Sequence, residues 1–296
     1  MISILIPVFN KDINGLVHSL SNQLASSEIN GEIIVIDDAS DVYFRNLNHK
    51  ISDLPFVTYL KLPQNIGRNR IRRQLAEKAK LDWLLFLDGD SKIITKEFIS
   101  LYQQTILNNV DVIIGGRQYI ASAPSECRFR LHWKYGTIRE AGYYRGKHNY
   151  AGFISNNFLI RKEIFTRLTF IEELNDYGHE DTWIGIQLEK LKAKISFLNN
   201  PVLHDGLEDV EDFMEKSRSA VKNLKLLSTI VTDDVLKKHV KLFRYYMLIR
   251  KLGLSAFFAG LYSWIQPYAN RNIHSCKPSL FLFDLYRLNM LIAINK

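Results

Sequence analysis

The sequence predicts an α/β fold, a mainly parallel sheet flanked by helices and continued at its C-terminal end by helices alone. Three observations predict it. Short apolar runs alternate with amphipathic stretches over the first two hundred residues, the spacing of βαβ units. Three of the first four runs end in distinctive residues, Pro7-Val8-Phe9-Asn10, Asp37-Asp38 and Asp88-Gly89-Asp90. Such endings mark a crevice at the carboxyl edge of a parallel sheet. Beyond Gly206 the strand signals stop and only helical periodicity continues. Two domains are expected, residues 1–206 and a helical extension, residues 207–296.

In order, Ile2 to Ile6 is an apolar run ended by Pro7 and reads as a buried strand. Asp12 to Ala25 carries Leu16, Leu20 and Leu24 on one face and reads as a helix. Glu32 to Ile36 is a second strand, and loop with a short helix follows from Ser40. Val57 to Leu62 is a third strand. The turn Pro63-Gln64-Asn65-Ile66-Gly67 leads into a basic helix, Arg68 to Lys80. Trp83 to Leu87 is a fourth strand. Thr95 is placed to cap a helix running to Leu107, and Val110 to Gly115 is a further strand.

From Ala121 to Asn149 the pattern weakens. Arg128, Arg130, Arg139, Arg145 and Lys147 interleave with Phe129, Trp133, Tyr135, Tyr143 and Tyr144. A substrate-facing loop and a solvated, partly helical excursion both fit. Phe158 to Arg161 then reads as a strand and Lys162 to Arg167 as a helical turn. Gly178-His179-Glu180-Asp181 precedes a helical pattern, Thr182 to Leu191. Lys194 to Leu198 is a strand, and Asn200-Pro201-Val202-Leu203-His204-Asp205-Gly206 closes the segment. Glu208 to Ile230, Asp233 to Leu252 and Phe281 to Ile294 read as helices.

The 296 residues are 47% apolar, enough for a sizeable core, with a net charge of +8. From Leu236 onward there are ten lysines and arginines against one acid, Asp284. This asymmetry points to an anionic partner for the tail. Two cysteines, Cys127 and Cys276, argue against a disulfide framework and fit a reducing compartment. Met1 leads straight into a strand, so no signal peptide is expected. The most apolar tail segment, Leu252 to Ala269, is broken by Ser255, Ser263, Gln266 and Pro267 and is not a clean membrane span. A cytoplasmic protein is expected, peripheral on the membrane at most.

The run Trp83-Leu84-Leu85-Phe86-Leu87-Asp88-Gly89-Asp90 is the centre of the pattern. A buried strand does not hold unpartnered acids in its core. Asp88 and Asp90 therefore belong just past its end, where two carboxylates flanking a glycine can converge on one hard cation. A solvated Asp-Gly turn is the plain alternative.

Taken together, Ile4-Leu5-Ile6-Pro7-Val8-Phe9-Asn10, Ile36-Asp37-Asp38-Ala39-Ser40, Asn65-Ile66-Gly67, Leu85-Phe86-Leu87-Asp88-Gly89-Asp90, Gly178-His179-Glu180-Asp181 and Pro201-Val202-Leu203-His204 resemble the family-2 glycosyltransferases of the GT-A fold. The six motifs stand in the family's order over roughly residues 1–205. One departure concerns the Ala-Arg-Asn that often follows the Asn-x-Gly. Arg72 matches its arginine, while Arg73 stands in place of the asparagine.

The resemblance implies an inverting transfer from a nucleotide sugar, usually a UDP-sugar, to a hydroxyl of a glycan or lipid-linked acceptor, in cell-envelope or surface polysaccharide synthesis. It implies a donor site of Pro7, Phe9, Asn10, Asp38, Asn65, Gly67, Arg70, Arg72 and Asp88. Asp38 can accept the N3–H of uracil and Phe9 can stack on the base. Asn65, Gly67 and the arginine-rich helix start favour an anion. Arg70 and Arg72 lie two apart, so only one can point inward well. A divalent metal, manganese or magnesium, is implied at Asp90 and His204. Asp88 contacts ribose, the sugar or a metal-bound water, or joins the metal. Asp181 is implied as general base, with Glu180 positioning the acceptor or supporting the helix start.

The tail holds two segments that are aromatic, apolar and basic together, Leu242 to Lys251 and Phe281 to Leu288. They suit a bilayer headgroup boundary. A helical cap and a homodimer contact are the other readings. A nucleotidyltransferase would want a glycine-rich loop after the first strand, which Pro7-Val8-Phe9-Asn10 does not supply. A non-catalytic nucleotide-sugar-binding scaffold on the same fold is a further alternative. No nucleic-acid motif occurs, so no nucleic-acid partner is expected.

Overall fold

The computed structural model describes residues 1–141, 150–172, 174 and 177–295. Tyr143, Tyr144, Arg145 and Lys147, singled out above, lie outside them. The elements are β1 (Ile2–Val8), α1 (Asn14–Ala25), β2 (Gly31–Asp37), α2 (Val42–Asn48), β3 (Val57–Lys61), α3 (Arg68–Lys78), β4 (Trp83–Leu87), β5 (Ser91–Lys92), α4 (Phe98–Ile106), β6 (Val112–Ile114) and β7 (Arg117–Gln118). There follow α5 (Arg130–Tyr135), β8 (Asn157–Arg161), α6 (Lys162–Phe165), α7 (Glu180–Lys190), β9 (Ile195–Phe197), β10 (Val202–His204), α8 (Val210–Ile230), α9 (Asp233–His239), α10 (Lys241–Lys251), α11 (Ser255–Ile273) and α12 (Leu280–Ala293).

The chain forms two compact units. The first comprises the described parts of Met1–Tyr119, Tyr143–Asn175 and Gln187–Gly206. Its seven-stranded sheet has the order β3-β2-β1-β4-β8-β6-β9. β1, β2, β3 and β4 run parallel, as do β6 and β9, while β8 is antiparallel to β4 and β6. The order turns back at β1, between β2 and β4, and ligands bind at such a reversal. Ile2, Ile4, Ile6, Ile33, Val35, Leu85 and Leu87 pack under Leu16, Val17, Leu20 and Leu24 of α1. The inner strands β1, β4, β6 and β8 carry mostly apolar side chains buried on both faces, as a covered sheet requires, while the edge strands β3 and β9 are less buried.

A second sheet, of order β5-β10-β7, was not visible in the sequence. Its strands span two or three residues, too few to show a period of two. Thr95 does not cap α4: the helix starts at Phe98 after Glu97, without a side-chain cap.

The second unit comprises the described parts of Ile120–Gly142, Asp176–Ile186 and Leu207–Lys296. Leu131 of α5 packs with Val210, Phe213 and Met214 of α8, Ile273 of α11, and Leu280 and Phe283 of α12. That cluster is why the segment after Ile120 groups with the C-terminal helices rather than with the sheet. Arg139 donates to Asp284 at 2.6 and 3.0 Å. Cys127 and Cys276 are bonded to each other. This departs from the reading of the two cysteines as a sign of a reducing compartment, since packing of α5 on the α11–α12 end brings them together. Asp233 to Leu252 is two helices, divided at Val240. Leu252 to Ala269, read as no clean membrane span and not counted among the expected helices, lies largely in α11, with Pro267 inside it. Among the described residues no helix is long and apolar enough to cross a membrane.

Candidate active site

Strand ends at the reversal point bring four of the six motifs together. Val8 O accepts the Asp38 amide at 2.8 Å, joining the ends of β1 and β2. Pro7 lies opposite Ile36 in that pairing. Asn10 is in the left-handed region at φ 48°. Its amide donates to Ser40 Oγ at 2.8 Å, and its Oδ1 accepts the Asp41 amide at 2.7 Å. Phe9 is left 53% exposed, a flat apolar ring at the crevice edge.

Asp38 is buried and fastens the next motif. Its carboxylate accepts the Ile66 amide at 2.7 Å and the Gly67 amide at 3.1 Å. Burial pushes the Asp38 carboxyl up, the two amides pull it back, and Asp37 adds to the rise. Asn65 donates to Asp38 O at 3.2 Å and accepts the Gly67 amide at 3.1 Å. Gly67 has φ +81°, where a side chain would be strained, and α3 starts at the next residue.

α3 divides its arginines. Arg70 faces outward and pairs with Glu172 at 3.2 Å, both exposed. Arg72 turns inward, its side chain 5% exposed, and reaches Asp88 Oδ1 at 3.0 Å. Arg117 stands 3.6 Å from Asp88 Oδ2. Asp88 thus lies between two guanidiniums. Its amide donates to Asn156 O at 3.1 Å, where β4 ends beside β8.

The small sheet joins Asp90 to His204. Ser91 pairs with His204 across β5 and β10, and the Asp205 amide donates to Asp90 O at 2.8 Å. Asp90 Oδ1 consequently lies 3.5 Å from His204 Nδ1. Burial pushes the Asp90 carboxyl up, but His204, Arg117 and Lys11 outweigh it and hold it well below the usual carboxylate range. Lys11 donates to Asp205 O at 2.7 Å, and the Tyr119 ring meets the His204 ring edge-on at 5.1 Å. Among the described residues no three His, Cys, Asp or Glu side chains gather at one point. Two of them do: Asp90 Oδ1 is buried without a hydrogen-bond partner, beside an imidazole. This pair fits a divalent cation that draws its remaining ligands from a diphosphate and water.

Glu180 and Asp181 open α7, in the second unit. Glu180 Oε2 accepts the Gly178 amide at 2.9 Å, so it supports the helix start. His179 is in the left-handed region at φ 70° and its Nδ1 is 3.1 Å from Thr182 Oγ1. Gly178 has φ +110°, and a Cβ there would lie 2.5 Å from the Ala220 Cβ of α8. Asn223 Nδ2 donates to Gly178 O at 3.0 Å. The turn carrying Asp181 is thereby clamped on α8.

Sequence reasoning passed over Lys11, Arg117 and Asn156. Asn156 is 2% exposed, one residue from β8, and among the described residues both its amide atoms lack hydrogen-bond partners. A buried amide left unmatched beside Asp88 is a group that a ligand can satisfy. Arg117 follows Gly115-Gly116 after β6, a turn signal that could have drawn attention to it.

The family model described as Glycosyl transferase family 2 matches residues 3–169, more than half of the chain. Poly(ribitol-phosphate) beta-N-acetylglucosaminyltransferase TarP of Staphylococcus aureus is 30% identical over 117 residues, 38% of this chain and 36% of that protein. The match thus spans about a third of that relative's length. The structure of S. aureus TarS 1-349 in complex with UDP superposes with a TM-score of 0.53 at 18% identity, covering 98% of this chain and 88% of that one. Glucosyl-3-phosphoglycerate synthase from Mycobacterium tuberculosis, in complex with Mn2+, UDP and phosphoglyceric acid, gives 0.54 at 17% identity over 77% and 78%. At these identities the two structures establish the likeness of fold.

Proposed function

The chain belongs to glycosyl transferase family 2, and on that membership we propose that it moves a sugar from a nucleotide-sugar donor, with UDP as the nucleotide, to a hydroxyl of a glycan or lipid-linked acceptor. The synthesis of cell-envelope or surface polysaccharide is the proposed setting, in keeping with the name of the TarP relative. UDP in the TarS and glucosyl-3-phosphoglycerate synthase structures supports the choice of nucleotide. A cytoplasmic setting is proposed from the donor class alone, and the Cys127–Cys276 bond lends it no support. A lipid-linked acceptor would bring the enzyme to the membrane face, and a homodimer through the helical extension is compatible with it.

The observation that carries this reading is the meeting of Asp90 and His204 beside Asp88, from motifs more than a hundred residues apart. Asp38 keeps lone pairs beyond its two amide contacts and accepts the uracil N3–H, while Phe9 stacks on the base. Asn65, Gly67 and the start of α3 face the anionic end of the donor. Arg72 and Arg117 hold Asp88 in place for the ribose or the sugar. Arg70, turned to the surface, has at most an outer role. Asp90 and His204 would hold a manganese or magnesium ion. That ion, when bound, supplies Lewis-acid neutralisation of the departing diphosphate. Asp181 takes the proton from the acceptor hydroxyl as its oxygen attacks the anomeric carbon. The nucleoside diphosphate departs from the opposite face, which inverts the anomeric centre. Glu180 keeps the α7 start in shape through Gly178.

Donor hydrolysis across UDP-, GDP- and dTDP-sugars with manganese tests the proposal. Release of UDP from one sugar nucleotide is the expected result. Nucleotide binding without hydrolysis would favour the non-catalytic nucleotide-sugar-binding scaffold instead, and absence of both would contradict the donor site.

A further inference from the structure

We infer that α10 and α11 dock the protein on an anionic lipid bilayer, lying in the interface rather than crossing it. In α11, Phe257, Leu261, Trp264 and Tyr268 recur at intervals of four, three and four, so they form one helical stripe. All four are exposed, Trp264 to 88% and Phe257 to 70%. The opposite side of the helix is the packed one, with Tyr262, Ala269 and Ile273 buried. Along α10, Tyr245, Leu248 and the C-cap residue Leu252 form a second exposed stripe, while Phe243 and Tyr246 are buried. Leu254, in the connection to α11, is exposed as well. Eight large apolar side chains left exposed on two consecutive helices and their connection are costly on a surface meant for water alone.

Charge selects the occupant. Lys241, Arg244 and Lys251 lie on the exposed side of α10 next to its apolar stripe, and Arg271 continues the stripe of α11 one turn beyond Tyr268. No Asp or Glu occurs from Val235 to Phe283, a stretch that includes the whole of α10 and α11. A two-fold contact with a second copy would set this basic surface, whose helices carry no acid, against another copy of itself. A leaflet with anionic headgroups meets the same surface with opposite charge, and Trp, Tyr and basic side chains are the chemistry of its headgroup boundary. Among the described residues no helix can span a membrane, so the contact is superficial. This inference is independent of the catalytic reading, because lipid binding needs no donor.

Vesicle flotation of the full chain tests it, with phosphatidylcholine alone and with phosphatidylglycerol added. The protein should float with the anionic vesicles, and added salt should release it. The double substitution Phe257→Ser, Trp264→Ser should lower partitioning by at least about tenfold. Neutralising Lys241, Arg244, Lys251 or Arg271 to Gln should lower it by about fivefold per charge. Both sets are surface changes, and an unchanged thermal melt checks that the variants fold. Donor hydrolysis, measured without lipid, should be unaltered in both. Absence of flotation, or flotation indifferent to both sets, would overturn the inference. So would a solution dimer that Trp264→Ser dissociates, which would make a second copy the occupant.

Discussion

Arg72 and Asp88 form a close ion pair, Nη2 to Oδ1 at 3.0 Å, between the inner face of α3 and the end of β4. The arginine is almost wholly enclosed, whereas the aspartate is 22% exposed and is also approached by Arg117. Arg72→Ala leaves Asp88 with Arg117 alone. A stability loss of about 2 kcal/mol is expected, below the range for a fully buried pair because Asp88 keeps one partner and some water. UDP affinity should fall with it. Chemical denaturation and calorimetric titration measure the two, and wild-type values for both would show that the pair supports neither.

Asp90→Ala and His204→Ala should each weaken manganese-dependent UDP binding, by an amount on the order of 3 kcal/mol. Metal-free UDP binding should change little, since Asp38, Phe9 and the Asn65–Gly67 turn remain. Circular dichroism should show both variants folded. Unchanged UDP binding with manganese in both variants would remove the shared cation from the account.

Gly178→Ala should destabilise the protein by about 3 kcal/mol, combining a left-handed backbone with a clash on α8. Adding Ala220→Gly should restore only part of this. The Ala220 Cα is still 2.8 Å from the new Cβ, and φ stays at +110°. A double-mutant cycle by urea unfolding measures the recovered share. A fully neutral Gly178→Ala would mean that the turn before Asp181 is not clamped.

His179 links stability to pH. Burial of the ring pulls its pKa down from 6.5 to about 3, and Arg287 adds to the fall. The folded protein keeps the imidazole neutral while the unfolded chain takes up a proton. This contribution is complete above pH 6.5 and is lost as pH falls toward 3. The loss is at most about 1.4 kcal/mol per unit. Between pH 6.5 and 5 the wild type should therefore lose up to about 2 kcal/mol more than His179→Gln. Urea midpoints at the two pH values decide it, and parallel losses in both proteins would contradict the shift.

The large sheet and its motifs were legible because each is local. β4 spans the five residues read as a strand, and Asp88 and Asp90 follow directly. What escaped depends on distance. β5 and β10 are too short to announce themselves, yet their pairing sets His204 against Asp90. The resemblance could nominate His204, but only the pairing of Ser91 with His204 explains its position. That α3 would send a single arginine inward followed from helical geometry, while the partners, Asp88 for Arg72 and Glu172 for Arg70, did not. Asp233 to Leu252 breaks at Val240 without glycine or proline, so nothing in the pattern marked the division. α11 was not among the helices read from the sequence, and Pro267 lies inside it, a residue that ordinarily counts against a helix interior.

The central claim is that Asp181 is the base of an inverting transfer whose donor site is built by other residues. Asp181→Asn keeps the shape of the side chain and cannot accept a proton. Transfer rate and UDP affinity should be measured for Asp181→Asn and Glu180→Gln with the donor found by screening. The account predicts turnover lowered by roughly 10²–10⁴-fold in Asp181→Asn with UDP affinity nearly unchanged, and a smaller loss in Glu180→Gln. Near-normal transfer by Asp181→Asn together with a dead Glu180→Gln would contradict it and give the proton to the neighbouring carboxylate.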